Sequence, residues 1–565
     1  MLSISKEKTK YHSYAIRFPF DTALLGYCRK LKEKYGWRNI TFHIGAWRFN
    51  DLGIAFIIKQ DHPSAVFSSE IVADMEKYST DKAAETAQAA SAAVIKEKKK
   101  SDLVIPGLKL PLYDYQKIGV EFFINNGGRA ILADAAGVGK TAQAISYILY
   151  ADVKKALVVC PASVKWSWAG EIEKWTDLKF SVLDSKHDQA SVIKAVAESD
   201  IVIVNYDILS KFSEFFIRAG FELLVADESQ YIKSPQSLRF KNIKKISEAI
   251  PKILLLSGTP MKSRPSELFT SLQLLKPYEW TDFRKYAERY CEGHSGPWGF
   301  DARGASNLDE LSAKINHYFI RRTKDEVLPE LPPKIFIDRP VDLNAEDRWK
   351  YNLAMDSLKE YLATVKKKNA EEIARSMSAE KLVILNELRM VSTMGKLDQA
   401  KEIIDEVVDG GEKILVFSCY NEPLKKLNEW YKDSSLLLTG QTDEDLRRMA
   451  IQQFQTDPNK KIFFGGYLSA GVGITLTAAS SVLLLDFPWC PADTEQSINR
   501  LHRPGQTASS VTIYQMIARD TIDAQMREVL DKKQKVISKV MDNGLGAEAP
   551  VEVVDELFER ISKIV

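Results

Sequence analysis

The sequence predicts an α/β protein in which two parallel-sheet lobes stand in tandem behind a small α+β N-terminal module. Three observations predict it. Short apolar runs suited to buried strands alternate with helical segments over 107–335, which is the rhythm of a parallel sheet with crossover helices. The same rhythm restarts after about residue 397. Ahead of both, strand-like YAIRFPF and ITFHIGAWRF flank the helical stretch TALLGYCRKLKEKYG. With 565 residues, 45% of them hydrophobic, the chain can fill several cores.

In order, residues 1–65 read as the small α+β module, and 66–106 as an Ala/Lys-rich linker, helical or flexible, that ends in Lys98, Lys99 and Lys100. Residues 107–335 form the first lobe, with RAILA, ALVVC, IVIVNY, FELLVAD and KILLLSG as its strands. A helical connector follows over 336–397. The second lobe, 398–540, has strands KILVFSC, SLLLTG, KIFFGG, SVLLLDF and VTIYQMIA, and 541–565 form a charged tail. The two lobes share no close sequence repeat.

Charge and cysteine usage narrow the class. A formal net charge of +2 places any nucleic-acid surface in local clusters. The five cysteines (Cys28, Cys160, Cys291, Cys419, Cys490) are scattered, without C-x-x-C or zinc spacing, so disulfide and structural-zinc roles are not expected. The start lacks an apolar signal core and no run is long enough to span a bilayer, so a reducing interior compartment, cytoplasm or nucleus, and no membrane partner are expected.

The chemistry sits at strand ends. Asp134-Ala135-Ala136-Gly137-Val138-Gly139-Lys140-Thr141 follows an apolar strand and opens a helix with Ile145, Ile148 and Leu149 at helical spacing. Such a turn offers backbone N–H groups, a lysine and the helix dipole to a polyphosphate, while the Thr141 hydroxyl can ligate Mg²⁺. Asp134 stands where the strict pattern has glycine. FELLVA delivers Asp227 and Glu228 to another strand end: Asp227 for the Mg²⁺ shell, Glu228 to orient the attacking water. Ser257-Gly258-Thr259-Pro260, again after a strand, is suited to couple phosphate state to the other lobe. Gln496, Arg500 and Arg503, spaced by four and three, share one helix face, where the arginines can act as fingers on the γ-phosphate.

In order, LYDYQKIGV, DAAGVGKT, VVCPASVKWSWAGEIEKW, IVNYDIL, DESQYIKSP, LSGTP, KILVFSCY, SAGVGITLTAAS, LLLDFPWCPADTEQSINRLHRPGQ and DTIDAQ resemble the Swi/Snf family of helicase-like ATPases in superfamily 2, over about 110–530. The N-terminal Tyr14–Phe20 run, Gly36-Trp37 and Gly45-Ala46-Trp47-Arg48-Phe49 are similar to the HARP module of its annealing-helicase branch, which senses branched DNA. A plain aromatic core, with Trp37, Trp47 and Phe49 buried, is the alternative for that module.

The resemblance implies two RecA-like lobes, ATP and Mg²⁺ as cofactors, and double-stranded, forked or branched DNA as partner. It names no protein partner. It places Gln116 at the adenine, with Asp134, Gly137, Gly139, Lys140, Thr141, Gly473 and Gln496 around the nucleotide. Ser163, Lys165, Asn205, Tyr206, Ser418, Thr439, Gly440, Thr475 and Trp489 fall in or beside blocks that grip the DNA backbone. Arg321, Arg322, Lys324 and Lys334 resemble the basic segment leaving the first lobe, with a solvated loop as the alternative; Lys366–Lys368 carry less weight. Gln230 departs from the family's His, Ala135-Ala136 from a Glu-Met or Asp-Met pair, and Ser263 from Asn. The expected activity is ATP-dependent translocation on duplex DNA that remodels forks or branches. The alternatives are a strand-separating DNA or RNA helicase, an ATPase that displaces RNA polymerase, and a non-hydrolysing ATP-gated scaffold.

Overall fold

The computed structural model describes residues 2–531 apart from 8–12, 36–39, 44, 50–51, 262–263, 297–298, 358–359, 361–379 and 471–473. Gly36, Trp37, Ser263, Lys366, Lys367, Lys368, Gly473 and the tail 541–565 lie outside the described residues. The chain forms two compact units, Met1–Ala93 and Val94–Val565.

In the first unit β1 (Ser3–Lys6), β2 (Tyr14–Arg17), β3 (Ile40–His43), β4 (Ala46–Phe49) and β5 (Val66–Phe67) make one sheet in the order β3-β4-β2-β1-β5. Only β1 with β5 is parallel. Helices Thr22–Tyr35 and Leu52–Asp61 put Leu31, Ile54 and Ile58 against Ile4, Ile16 and Phe49. Trp47 and Phe49 are buried in this core, whereas Phe20 and Phe42 are exposed. The boundary expected at 65 moves: β5 belongs to the sheet, and Ile71 and Met75 of the helix Ser69–Glu97 belong to its core. The Ala-rich segment is therefore helical, as its composition favours.

In the second unit β6 (Arg129–Leu132), β7 (Ala156–Cys160), β8 (Phe180–Val182), β9 (Ile201–Asn205), β10 (Leu223–Asp227), β11 (Lys252–Leu256) and, after a hairpin of β12 (His294–Gly296) and β13 (Gly299–Asp301), β14 (Phe319–Ile320) build the first lobe. Its sheet is parallel, in the order β14-β6-β11-β10-β7-β9-β8. The second lobe's sheet is also parallel and runs β15 (Lys334–Val341), β20 (Val511–Ala518), β19 (Ser481–Leu484), β16 (Ile414–Ser418), β18 (Ile462–Gly466), β17 (Ser435–Leu438). The series β11-β10-β7-β9-β8 and β20-β19-β16-β18-β17 repeat one RecA-like order.

Period-two alternation fixes the layers. Along β16, Leu415 and Phe417 enter one apolar core and Ile414 and Val416 the other, so helices cover both sheet faces. Every strand read from the sequence is present. The strands β1, β5, β8, β12, β13, β14 and β15, most of them short or at an edge, escaped that reading. β15 also corrects the connector: residues 334–341 are an edge strand of the second lobe, mostly solvent-facing and carrying Pro340, which a sheet tolerates at its edge. The C-terminal part of the connector, from Leu385, packs on the second lobe too. Leu385, Leu388 and Val391 pack against Ile522, Met526 and Val529, and the buried Lys396 ammonium pairs with Asp523 at 2.6 Å. No described helix is long and apolar enough to cross a membrane.

Candidate nucleotide site between the two lobes

The phosphate-loop sequence runs from β6 into the helix Lys140–Tyr150. Gly137 and Gly139 have φ of +89° and +83°, a left-handed conformation that favours glycine. Space demands glycine as well. A Cβ on Gly137 would stand 2.9 Å from Cγ of Arg503, which belongs to the other lobe.

Gln116 and Tyr115, on the helix Asp114–Asn125, both donate to the Val138 carbonyl, at 3.1 and 3.0 Å. The Gln116 carbonyl oxygen accepts from the backbone N–H of Tyr113 at 3.0 Å. Gln116 thus holds the loop itself. The Lys140 ammonium donates to the carbonyls of Asp134 and Ala135, at 2.8 and 3.0 Å. Thr141 is half-buried in the first helical turn.

Asp134, expected at the nucleotide, is fully buried and paired with the guanidinium of Arg322, whose Nε donates to it at 3.0 Å. Its carboxylate is consumed beneath the loop, so it does not face a ligand. Arg322 also donates to the Tyr115 carbonyl and to Gln143, joining three segments under the phosphate loop. This arginine is a partly buried tie, not a solvated charge.

Asp227 ends β10. Its carboxylate accepts from the indole N–H of Trp168 at 2.8 Å and from the Glu228 backbone at 2.9 Å. Burial, and then the negative charge of Glu228, raise its pKa. Glu228 has φ of +50°, a conformation that costs about 1–3 kcal/mol for a non-glycine residue. It accepts from Gln230 at 2.5 Å and, across the lobes, from Gln496 at 3.2 Å. Gln230 in turn accepts from the Ser257 hydroxyl at 2.6 Å, and Ser257 accepts from the backbone N–H of Thr259 at 3.0 Å. The Gln230 departure from His therefore completes a chain from Glu228 to the Ser257-Gly258-Thr259 turn.

The second lobe brings up two cations. Arg500 donates to the carbonyls of Gln496 and Ile474, at 2.9 and 3.2 Å, and is almost fully buried. Arg503 donates to the Asn499 carbonyl at 2.7 Å and to the Thr475 hydroxyl at 2.9 Å. Among the described residues neither guanidinium, nor Lys140, hydrogen-bonds a carboxylate. Burial lowers the pKa of all three, Arg500 well below its usual value and Arg503 to about 10. Three cations so placed favour a polyanion. A cavity of about 230 Å³ beside them is lined by Ala136, Glu228, Gly258, Gln496 and Asn499.

Lys324 joins the lobes. It is buried and donates to Asn499 Oδ1 at 2.6 Å and to the His502 carbonyl, while His502 Nε2 donates to the Pro332 carbonyl at 2.9 Å. No cluster of three or more His, Cys, Asp or Glu is assembled among the described residues. That fits Mg²⁺, which takes one or two protein oxygens and fills its octahedron from phosphate and water. Asp227 and Thr141 are the residues that would hold it.

The expected DNA contacts divide. Ser163, on the turn Ala162–Val164, and Thr439 are half-buried; Gly440 is exposed. Trp489, with the Arg389 guanidinium 4.4 Å from its ring centroid, shares with Gly440 a second-lobe cavity of about 510 Å³. Lys165, Asn205, Tyr206 and Ser418, in contrast, are buried and do not line a surface. The Tyr206 hydroxyl donates to the Asp227 carbonyl at 2.7 Å, Ser418 donates to Asp486, and the Lys165 ammonium donates to the Leu183 carbonyl at 3.5 Å. Thr475 is exposed, but its hydroxyl serves Arg503. Sequence reasoning missed Trp168, because nothing in the WSW run tells that this indole reaches an aspartate 59 residues on.

Two tandem lobes, a phosphate loop on one and paired arginines on the other, define a helicase-like, nucleotide-dependent class. Residues 115–403 match the SNF2-related domain and 395–505 the helicase conserved C-terminal domain. The first match covers more than half of the 565 residues, and the chain belongs to the SNF2-related family. It is 30% identical over 458 residues to the Homo sapiens DNA annealing helicase and endonuclease ZRANB3, covering 78% of this chain and 41% of that protein. It is 30% identical over 441 residues to the Xenopus tropicalis SWI/SNF-related matrix-associated actin-dependent regulator of chromatin subfamily A-like protein 1, covering 76% and 45%. The chain thus spans less than half the length of these relatives. Among solved structures, the Sulfolobus solfataricus SWI2/SNF2 ATPase core in complex with dsDNA is 26% identical with a TM-score of 0.39, over 79% of this chain and 96% of that chain.

Proposed function

We propose that this chain is an ATP- and Mg²⁺-dependent translocase on double-stranded DNA that remodels forked or branched DNA, by strand annealing, branch migration or fork regression. The observation that carries the ATP reading is the convergence of buried Arg500 and half-buried Lys140 and Arg503, none with a carboxylate hydrogen bond among the described residues, beside Glu228. A triphosphate supplies the negative charge they lack. Mg²⁺, held by Asp227 and Thr141, would neutralise charge on the phosphates. Glu228 orients the attacking water, and Arg500 and Arg503 stabilise charge on the transferring group. Because the site is split, nucleotide binding draws the lobes together and product release lets them part; alternate grip on one strand turns that motion into a step.

The DNA reading is supported by the names of the relatives and by exposed Gly440 and half-buried Ser163, Thr439 and Trp489, which lie on both lobes. Contacts to phosphate hold a strand without reading its sequence, so binding is expected to weaken as salt rises. The N-terminal module is assigned to recognition of branched DNA. Steady-state ATPase rates on matched single-stranded, duplex and forked DNA, with Lys140→Ala as the blank, test the whole reading. Greater stimulation by forks than by duplex supports it. Stimulation by single strands alone would indicate a strand-separating helicase, and no stimulation by any DNA would move the substrate to RNA or a protein complex.

A further inference from the structure

The helix Lys165–Trp175 exposes Trp166 in its first turn and, two residues on, sets Trp168 against the Asp227 carboxylate. Ser163 lies on the turn before it, and the half-exposed Trp166 carries the guanidinium of Arg448, from the second lobe, 5.2 Å from its ring centroid. Two residues on, Trp168 is completely buried and its indole N–H donates to Asp227 at 2.8 Å. One short stretch therefore touches the outer face, the second lobe and the metal-holding aspartate.

A second path reaches the same residue. Tyr206 follows β9 directly, is buried, and donates to the backbone carbonyl of Asp227 at 2.7 Å. Its ring stacks on Tyr231 at 5.8 Å between centroids, and Tyr231 is partly exposed beneath the Arg239 guanidinium. Side chain and main chain of Asp227 are thus each fixed by an aromatic donor that has an exposed aromatic neighbour, Trp166 in the one case and Tyr231 in the other. An aspartate held by one donor on its carboxylate and another on its main-chain carbonyl can be re-aimed by small movements of either segment, because hydrogen-bond strength falls steeply with angle and distance.

We propose that Trp168 is a positioning residue for Asp227, and that Trp168 and Tyr206 together transmit occupancy of the first lobe's outer face, and contact with the second lobe, to the Mg²⁺-binding carboxylate. The inference rests on the reading of the inter-lobe cleft as an ATP site. It assigns these two aromatic residues to the coupling between DNA and hydrolysis and gives the buried Tyr206 a role other than direct contact with DNA.

The test uses the full chain with Trp168→Phe, which keeps ring bulk and removes the N–H, and Tyr206→Phe, which removes only the hydroxyl. Trp280→Phe is the structural control, since its buried indole likewise donates a 2.8 Å bond, to the Tyr318 hydroxyl in the same lobe. ATPase rate is measured against Mg²⁺ with and without duplex DNA, alongside binding of a fluorescent ATP analogue and of the duplex. Loss of a group that orients a metal ligand typically costs about 10- to 100-fold in metal affinity or activity. Trp168→Phe is therefore expected to raise the Mg²⁺ midpoint and lower DNA-stimulated kcat by about tenfold or more, with ATP KM and duplex Kd within about twofold. Tyr206→Phe is expected to lower DNA stimulation with less effect on the Mg²⁺ midpoint. Parent-like kcat and Mg²⁺ midpoint in Trp168→Phe overturn the proposal, as do equal losses in Trp280→Phe. If DNA fails to stimulate the parent, the DNA reading falls, and the Mg²⁺ midpoint for analogue binding without DNA decides Trp168: a shift upholds its positioning role and no shift overturns it.

Discussion

β10 and β19 hold the same place in the two sheets, yet the aspartates at their ends do different things. Each strand lies beside β7 or β16 and two places from β9 or β18. In both lobes a tyrosine from the strand two places away donates to the aspartate's backbone carbonyl: Tyr206 to Asp227 at 2.7 Å and Tyr467 to Asp486 at 2.6 Å. The registers differ by one residue. β10 pairs Ala226 with Val159, which sets Asp227 level with Cys160; β19 pairs Leu484 with Phe417, which sets Asp486 one residue beyond Ser418. One residue along a strand reverses the direction of a side chain.

The consequence is chemical. The Asp486 carboxylate accepts from the Ser418 hydroxyl and from the Cys419 backbone at 2.9 Å, both within its own lobe, and the next residue, Phe487, enters an apolar core. The Asp227 carboxylate accepts from Trp168, lies in the field of Lys140, and is followed by Glu228, which receives Gln496 from the opposite lobe. One scaffold therefore serves twice, once as a closed hydrogen-bond knot and once, in the function proposed above, as half of a reaction centre whose other half is a pair of arginines.

The sharpest break of the comparison is to remove the second lobe's half. Arg503→Ala and Arg500→Ala are each expected to lower single-turnover ATP hydrolysis by about 10³–10⁵, the contribution of an arginine finger, with binding of a fluorescent ATP analogue retained. Hydrolysis within tenfold of the parent in both variants would confine the chemistry to the first lobe. Next is the exchange of carboxylates between equivalent strands. Glu228→Gln is expected to bind nucleotide and to lose about 10²–10⁴ in kcat, whereas Asp486→Asn keeps kcat and loses about 1–3 kcal/mol in urea unfolding, because its donors lose a charged acceptor. Equal losses of kcat would erase the distinction between the two strand ends.

A smaller effect tests how the halves are held together. Burial, followed by the charges of Lys334 and Arg503, lowers the Lys324 pKa from 10.5 to about 6. Between those values the unfolded chain binds a proton that the folded chain does not, so stability contributed at this site rises with pH across the window. The advantage of the parent over Lys324→Met in urea unfolding is expected to grow from pH 6.5 to 8.5, by up to about 1.4 kcal/mol per pH unit. A flat or falling difference would show that Lys324 keeps its proton on burial.

Much of this was legible in one dimension. The apolar runs marked the central strands of both lobes, because a strand covered on both faces must be apolar throughout, whereas β1 (SISK), central in the N-terminal sheet, was missed. Of the edge strands, β8 has three half-exposed residues, β14 only two residues, both buried, and β15 a largely exposed pattern, so no long buried apolar run marks them. In the site, Lys140, Asp227, Glu228, Arg500 and Arg503 came from motif and spacing, and all five converge. What spacing could not tell was burial. Asp134, Lys165, Tyr206 and Ser418 fall in the right blocks but point inward, since a polar residue at a strand end can face ligand or backbone with the same sequence around it. Trp168 shows the reverse case, a residue inside a quoted block whose partner lies on a different strand.

The finest test concerns the two tyrosines that the lobes share. Tyr467→Phe and Tyr206→Phe each delete one buried hydroxyl that donates to an aspartate carbonyl, and each is expected to lower unfolding stability by about 0.5–1.5 kcal/mol. The packing loss is nearly the same, because both rings stay in place and both side chains are buried. If the strand ends differ as argued, only the first-lobe variant lowers DNA-stimulated ATP turnover, since its aspartate holds metal while Asp486 is engaged within its own lobe. Matched stability losses with unmatched kcat would separate structural from catalytic use of one hydrogen bond. Matched losses in both would place the second-lobe aspartate in the reaction path and reverse the comparison.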